Sequence, residues 1–346
     1  MSAVPAPQVQ TLFDVFRQIK DLEVASAVLQ WDQETMMPDG GAAGRGQVLA
    51  TLTGLKHDLL TSSRYSDAID GCVALSAEDP TVAAQVREAQ RRRDHACKVP
   101  SALAQQLAQA ESSGLVAWQR ARKEDDFGLF RNELAHLIDL VKQKAHALAA
   151  GGDSYDSLLD LFDPGCKSAE LTPLFEGLRA ELAPLVQAVA DCGYSVDESV
   201  AKGDFPAEQQ QAFGEMVARQ MGFDFNCGRL DLAAHPFCTS FYPQDVRLTW
   251  RYALDDFRPA LFGIMHEAGH GLYEQGLPSH MQGTPAGDAV GMGVHESQSR
   301  MWENLVGRSK AFWEWALPKF KQYFPCSDGL TVEQLYPCLH TVKPSF

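Results

Sequence analysis

The sequence predicts an all-α fold with at most a small β element near residues 246–250. Three observations carry this. Apolar residues recur at helical spacing through most of the first 230 residues, turn-forming clusters fall between those runs, and strand-like alternation is confined to one short stretch. With 346 residues and no internal repeat or low-complexity linker, the simplest organisation is one mostly helical domain over residues 1–346.

Leu12, Phe13, Phe16, Ile19, Leu22 and Val24 set the first helical run, and Leu134, Leu137, Ile138 and Val141 another. Leu174, Phe175, Leu178, Leu182, Leu185 and Val189 set a third. Pro38-Asp39-Gly40-Gly41, Asp79-Pro80, Gly151-Gly152 and Asp163-Pro164-Gly165 break the chain between helices. Ser101 is placed to cap the helix that starts near Leu103. Val246-Arg247-Leu248-Thr249-Trp250 alternates apolar and polar residues and reads as one short strand.

Thirty basic residues stand against 45 acidic ones, a net charge of -15. Such a surface repels nucleic acid and anionic membranes. Arg91-Arg92-Arg93 therefore reads as a solvated helix face, not a nucleic-acid patch. No apolar run approaches the roughly 18 residues a spanning helix needs, and residues 1–10 carry no secretory signal. The eight cysteines form no CxxC pair, so they read as reduced thiols in a cytoplasmic protein.

The chemistry lies in His266-Glu267-Ala268-Gly269-His270. Two imidazoles at i and i+4 share one helix face and can hold a zinc ion, with Glu267 beside them to take a proton from water. Asp255 or Asp256 caps this helix, Pro259 fits its first turn, and Gly276 with Pro278 ends it. Phe257, Leu261, Ile264, Ala268 and Leu272 form its apolar stripe. Gly263, Gly269 and Gly271 each cost about 0.5–1 kcal/mol in a helix interior. That cost points to another backbone or a substrate approaching closely. Catalytic zinc takes three protein ligands. Glu296, expected in the first turn of a helix that begins near Val294, is the strongest candidate for the third. His280, Asp288 and His295 are the other nearby choices.

Read together, the motifs resemble the carboxypeptidase Taq family of zinc metallocarboxypeptidases. The resemblance rests on the zinc motif with His235-Pro236-Phe237, Asp245-Val246-Arg247-Leu248-Thr249 and His295-Glu296-Ser297-Gln298-Ser299. It extends to Trp31-Asp32-Gln33-Glu34-Thr35-Met36-Met37-Pro38 and to Tyr155-Asp156-Ser157-Leu158-Leu159-Asp160 with Pro164-Gly165. The family implies an almost wholly helical zincin-like fold and a homodimer that removes single C-terminal residues from peptides with broad specificity. It also implies zinc or cobalt on His266, His270 and Glu296, with Glu267 as general base. His235, Arg247 and His295 become candidate substrate contacts. Arg247 would read the peptide carboxylate or else pair with Asp245, and His295 would face substrate or support the ligands. Family members continue well past Val342-Lys343-Pro344-Ser345-Phe346. The expectation is therefore a C-terminally truncated form with exposed apolar surface and weaker catalysis than an extended chain.

Overall fold

The computed structural model describes residues 5–341. Residues 342–346, where the resemblance expects a further segment to begin, lie outside the described part. Among the described residues the chain is predominantly helical with one small sheet, and it falls into two compact units. The first runs to Leu161 and takes back Leu277–Ala289; the second comprises Phe162–Gly276 and the chain from Val290 onward.

The first unit holds α1 (Pro7–Thr35), α2 (Ala42–Leu60), α3 (Ser63–Asp70), α4 (Val73–Ser76), α5 (Pro80–Lys98), α6 (Ser101–Glu124), α7 (Gly128–Ala149) and nearly all of α8 (Ser154–Phe162). Leu12, Val15, Phe16 and Ile19 of α1 pack on Tyr65, Ile69 and Val86, while Leu103, Leu107, Leu140 and Leu148 form a second cluster. The turn clusters act as expected. Asp79 accepts the Thr81 N–H at 2.7 Å and Pro80 takes the first helical position, where its missing N–H costs nothing. Ser101 departs from expectation: it is the first residue of α6 behind Pro100, and its hydroxyl accepts from Gln105 instead of capping.

The arginine run also needs correction. The triplet is only partly a solvated face, because Arg91 and Arg92 are half-buried against acids from elsewhere in this unit. Arg91 pairs with Glu88 and Asp160, and Arg93 with Asp94. Arg92 lies over the Phe16 ring and bonds Asp288, which Lys20 also holds at 2.7 Å. These pairs fasten Leu277–Ala289 to the unit and leave Asp288 engaged as a structural acid.

The second unit contains α9 (Ser168–Asp191), α10 (Ala207–Met221), β1 (Gly228–Leu232), β2 (Cys238–Tyr242), β3 (Asp245–Trp250), α11 (Arg258–Gln275), α12 (Met292–Arg300), one turn of π-helix (Met301–Val306), α13 (Lys310–Tyr323) and α14 (Val332–Leu339). The expected strand is the centre of a three-stranded sheet ordered β1-β3-β2, parallel to β1 and antiparallel to β2. Val246, Leu248 and Trp250 bury against Ile264 and Ala268 of α11, so the sheet supports the helix that carries the histidines. On another side, Phe257 and Leu261 join Phe205, Phe213, Trp313 and Phe320 in an aromatic cluster.

The apolar run at 171–189 does form a helix, but none of the residues of α9 is buried among the described residues. Leu174 is 63% exposed and Phe175 58%, with Leu178, Leu182 and Leu185 beside them. A contiguous apolar stripe of this kind favours association. Leu178→Glu with Leu182→Glu should therefore reduce self-association in light scattering. Each change should alter unfolding stability by no more than about 0.5 kcal/mol, the usual range for surface sites. A large loss of stability would show instead that the stripe is covered.

Among the described residues no helix is long and apolar enough to cross a membrane, and the eight cysteines form no disulfide.

Candidate metal centre

Helix α11 starts at Arg258, one residue later than a cap at Asp256 would give, with Phe257 in the formal cap position. Asp256 still accepts the Arg258 N–H at 3.0 Å, so it satisfies one of the helix's orphan donors. His266 and His270 project from one face of α11, their ring centroids 5.0 Å apart. Gly269 explains how the next element comes so close. A Cβ there would lie 2.6 Å from Ser299 Cα and 2.8 Å from the Gln298 carbonyl. The helical glycine thus lets the backbone of α12 rest on α11, as its cost suggested.

Helix α12 begins at Met292, two residues before the expected start, so Glu296 occupies its second turn and not its first. The Gly293 N–H donates to Asp163 Oδ1 at 2.9 Å, anchoring the N-terminal end of this helix. Glu296 Oε2 then lies 3.3 Å from His270 Nε2 and 3.6 Å from His266 Nε2. All three ligand-type atoms fall within 4.8 Å of one another. Ligands at about 2.0–2.1 Å on a tetrahedral ion stand roughly 3.3–3.4 Å apart, so the observed separations suit a small divalent ion. Two imidazoles and one carboxylate also form a donor set typical of zinc.

The electrostatics of the ion-free site differ between the two imidazoles. Burial, reinforced by His295 and His266, pushes His270 down to about 4, leaving a neutral imidazole at physiological pH. Burial also works against the charged form of His266, but its bond to Glu303 and the surrounding carboxylates outweigh this and raise its pKa. Glu296 resists burial through bonds from Arg300 and Ser299 and stays ionised more readily than usual. Glu267 is 6% exposed. Burial drives its pKa up to about 7, with His266 opposing and Glu296 and Glu303 adding to the rise. A buried carboxyl that titrates near neutrality can both take and return a proton.

Two acids missed in the sequence stand behind the histidines. Glu303 Oε2 lies 2.9 Å from His266 Nδ1, and Arg308 and Arg300 hold the same carboxylate. Glu274 Oε1 lies 2.8 Å from His295 Nε2, and His295 Nδ1 lies 2.6 Å from His270 Nδ1. The signal was present: Glu274 continues the stripe His266, His270 at i+8, and Glu303 follows Glu296 at i+7.

Of the candidate substrate contacts, His295 has both ring nitrogens engaged, by His270 and Glu274. Arg247 is held by both oxygens of Asp245, at 2.9 and 3.0 Å, and lies over the Phe241 ring. Arg258 binds Asp256 and Glu198. His235 is exposed on the loop between β1 and β2. That loop is pinned by three bonds between Phe237 and Thr249, and its Pro236 is the nearest neighbour to the open Cβ side of Gly263, one turn before His266.

The sequence profile of the carboxypeptidase Taq (M32) metallopeptidases matches residues 11–346. The chain belongs to this family. It is 38% identical to thermostable carboxypeptidase 1 of Thermus thermophilus, across 99% of this chain and 69% of that protein. It is 33% identical to carboxypeptidase 1 of Bacillus subtilis, across 96% and 67% respectively. The M32 carboxypeptidase from Deinococcus radiodurans R1 superposes with a TM-score of 0.87 at 37% identity, covering 98% of this chain and 68% of that one. As an M32 member the chain is a metallocarboxypeptidase by class, and its cluster of His266, His270 and Glu296 is where a divalent metal fits.

Proposed function

We propose that His266, His270 and Glu296 hold one zinc ion, with cobalt as a substitute, and that Glu267 is the general base. The reaction is release of single residues from the free C-terminus of peptides, with broad specificity. The observation that carries this is the three-ligand cluster beside a buried glutamate whose pKa stands near 7, in a chain of this family. When bound, a divalent ion supplies Lewis acidity that acidifies water, polarises a carbonyl and favours the ionised form of Glu267. Glu267 takes a proton from water and returns it to the leaving nitrogen. Glu296 keeps one oxygen toward the histidines while Arg300 occupies the other at 2.7 Å. Exposed His235 is the substrate-facing candidate among the motif residues. The acidic charge and the absence of disulfides support a cytoplasmic setting. The family resemblance supports a homodimer.

One observation favours a second reading. Arg247, the motif arginine suited to a terminal carboxylate, is already gripped by Asp245. A metal-binding homologue with weak turnover would fit that. An N-blocked dipeptide separates the two: the enzyme reading expects release of the C-terminal amino acid, lost when Glu267 is changed to Gln. Bound metal without hydrolysis supports the second reading, and cleavage within a peptide whose C-terminus is blocked would indicate an endopeptidase.

A further inference from the structure

Each ligand histidine is backed on its Nδ1 side by a carboxylate, by two different routes. Glu303 reaches His266 directly at 2.9 Å. Glu274 reaches His270 through an intervening imidazole, in the chain Glu274 Oε1, His295 Nε2, His295 Nδ1, His270 Nδ1 with steps of 2.8 and 2.6 Å. We propose that Glu303 and Glu274 are a pair of positioning residues that set the tautomers of His266 and His270, so that both rings offer Nε2 to the ion. The inference rests on the metal reading above.

The hydrogen-bond roles follow from imidazole chemistry. A neutral ring has one N–H and one acceptor nitrogen. Glu303, an acceptor when ionised, requires the hydrogen of His266 on Nδ1 and so leaves Nε2 its lone pair. The longer chain gives the same answer. Glu274 requires the hydrogen of His295 on Nε2, which makes His295 Nδ1 the acceptor. His270 must then donate from Nδ1, and its Nε2 is again free to ligate. Both Nε2 atoms are the ones that lie toward Glu296, at 3.6 and 3.3 Å.

The backbone around Glu303 and the alignment of Glu274 with the histidines argue for a role. Glu303 sits in the single π-helical turn, Met301–Val306, a form of helix that is rare and tends to occur at functional sites. Its other oxygen accepts from Arg308 at 3.2 Å, which fixes the side chain behind the ring. Glu274 lies on the last turn of α11, in line with both histidines, and His295 also packs T-shaped against the Tyr273 ring, centroids 4.8 Å apart.

Titration of the 346-residue chain with Co²⁺, followed by visible absorption, tests the pair. Glu303→Leu and Glu274→Leu should each weaken Co²⁺ binding by about 10–100-fold, the usual effect of removing a partner that orients a ligand. Each should also change the position or intensity of the cobalt bands. Glu303→Gln and Glu274→Gln still accept an N–H and should restore binding to within a few-fold of the parent. Should one Leu variant fail to fold by circular dichroism, the other acid, on a different element, and the Gln variants still decide the matter. Leu variants that lose thermal stability yet bind Co²⁺ with parental affinity and superimposable spectra would overturn the proposal and leave the acids a structural role. If the unsubstituted chain binds no Co²⁺, the metal reading itself fails, an outcome visible before any substitution is compared.

Discussion

Glu267→Gln should reduce release of the C-terminal residue from an N-blocked dipeptide by about 10²–10⁴-fold, the contribution typical of a positioned general base. Metal content should stay at the parental level. The side chain is 6% exposed, so water cannot readily substitute for it. Burial pushes its pKa up, to about 7 before any ion is bound, which strengthens it as a proton acceptor. Glutamine keeps the size and one acceptor oxygen but cannot take a proton. The ligand atoms of His266, His270 and Glu296 are separate from it, which is why binding and turnover should part company in this variant. Parental kcat with Gln at this position would remove Glu267 from the reaction.

Gly269→Ala should destabilise the fold, whereas Gly263→Ala should stabilise it, although both replace a glycine inside the same helix. Helix propensity alone favours alanine by about 0.5–1 kcal/mol at either site. At Gly263 the added Cβ meets only Pro236 Cγ, at 4.0 Å, so propensity decides the sign. At Gly269 it would fall 2.6 Å from Ser299 Cα and 2.8 Å from the Gln298 carbonyl. Those are backbone atoms that cannot rotate aside, and overpacking of this kind costs about 1–3 kcal/mol, occasionally more. The clash outweighs propensity. Relief requires α12 to move off α11 and to carry Glu296 with it, so the Gly269 variant should also bind divalent metal more weakly. Urea unfolding of the metal-free variants checks the first claim and metal titration the second. A Gly269→Ala protein as stable as the parent would show that the two helices are not locked there.

That contrast also marks how far the sequence can be read. Three glycines in one helix signalled close approach, and at Gly269 the signal meant another backbone, at Gly271 the side chains of Phe223 and Leu248. At Gly263 nothing within the described residues fills the space beyond Pro236. The sheet was legible only in its central strand. In β3, Val246, Leu248 and Trp250 are buried and the alternation is plain. β1 and β2 are five residues each; in β1 burial does not follow the residue alternation, since Asp231 is buried and Leu232 exposed, and β2 has an irregular register at Ser240 and Tyr242. Edge strands of this kind take their stability from a neighbour, which local pattern cannot reveal.

Periodicity revealed the helix α9 but not its exposure, because a repeat fixes which face is apolar and says nothing of whether that face is covered. At the site, the i,i+4 histidines and Glu296 were legible because metal chemistry demands a small set of donors at fixed spacing. Glu303 and Glu274 were overlooked although their i+7 and i+8 spacing was visible, because a carboxylate at such a spacing is common on any helix and only the ring beside it singles it out. The arginine run misled because a surface-like triplet can pair with acids far along the chain, as Arg92 does with Asp288.

The most direct test of the metal centre is the divalent-metal content of purified protein, measured side by side for the parent and His270→Ala. His270 Nε2 lies 3.3 Å from Glu296 Oε2, and its neutral ring is one of three donors that bring the site together. The account predicts about one ion per parental chain, the ordinary stoichiometry of such a site, and little or none in the variant. Equal metal content in the two proteins would contradict it.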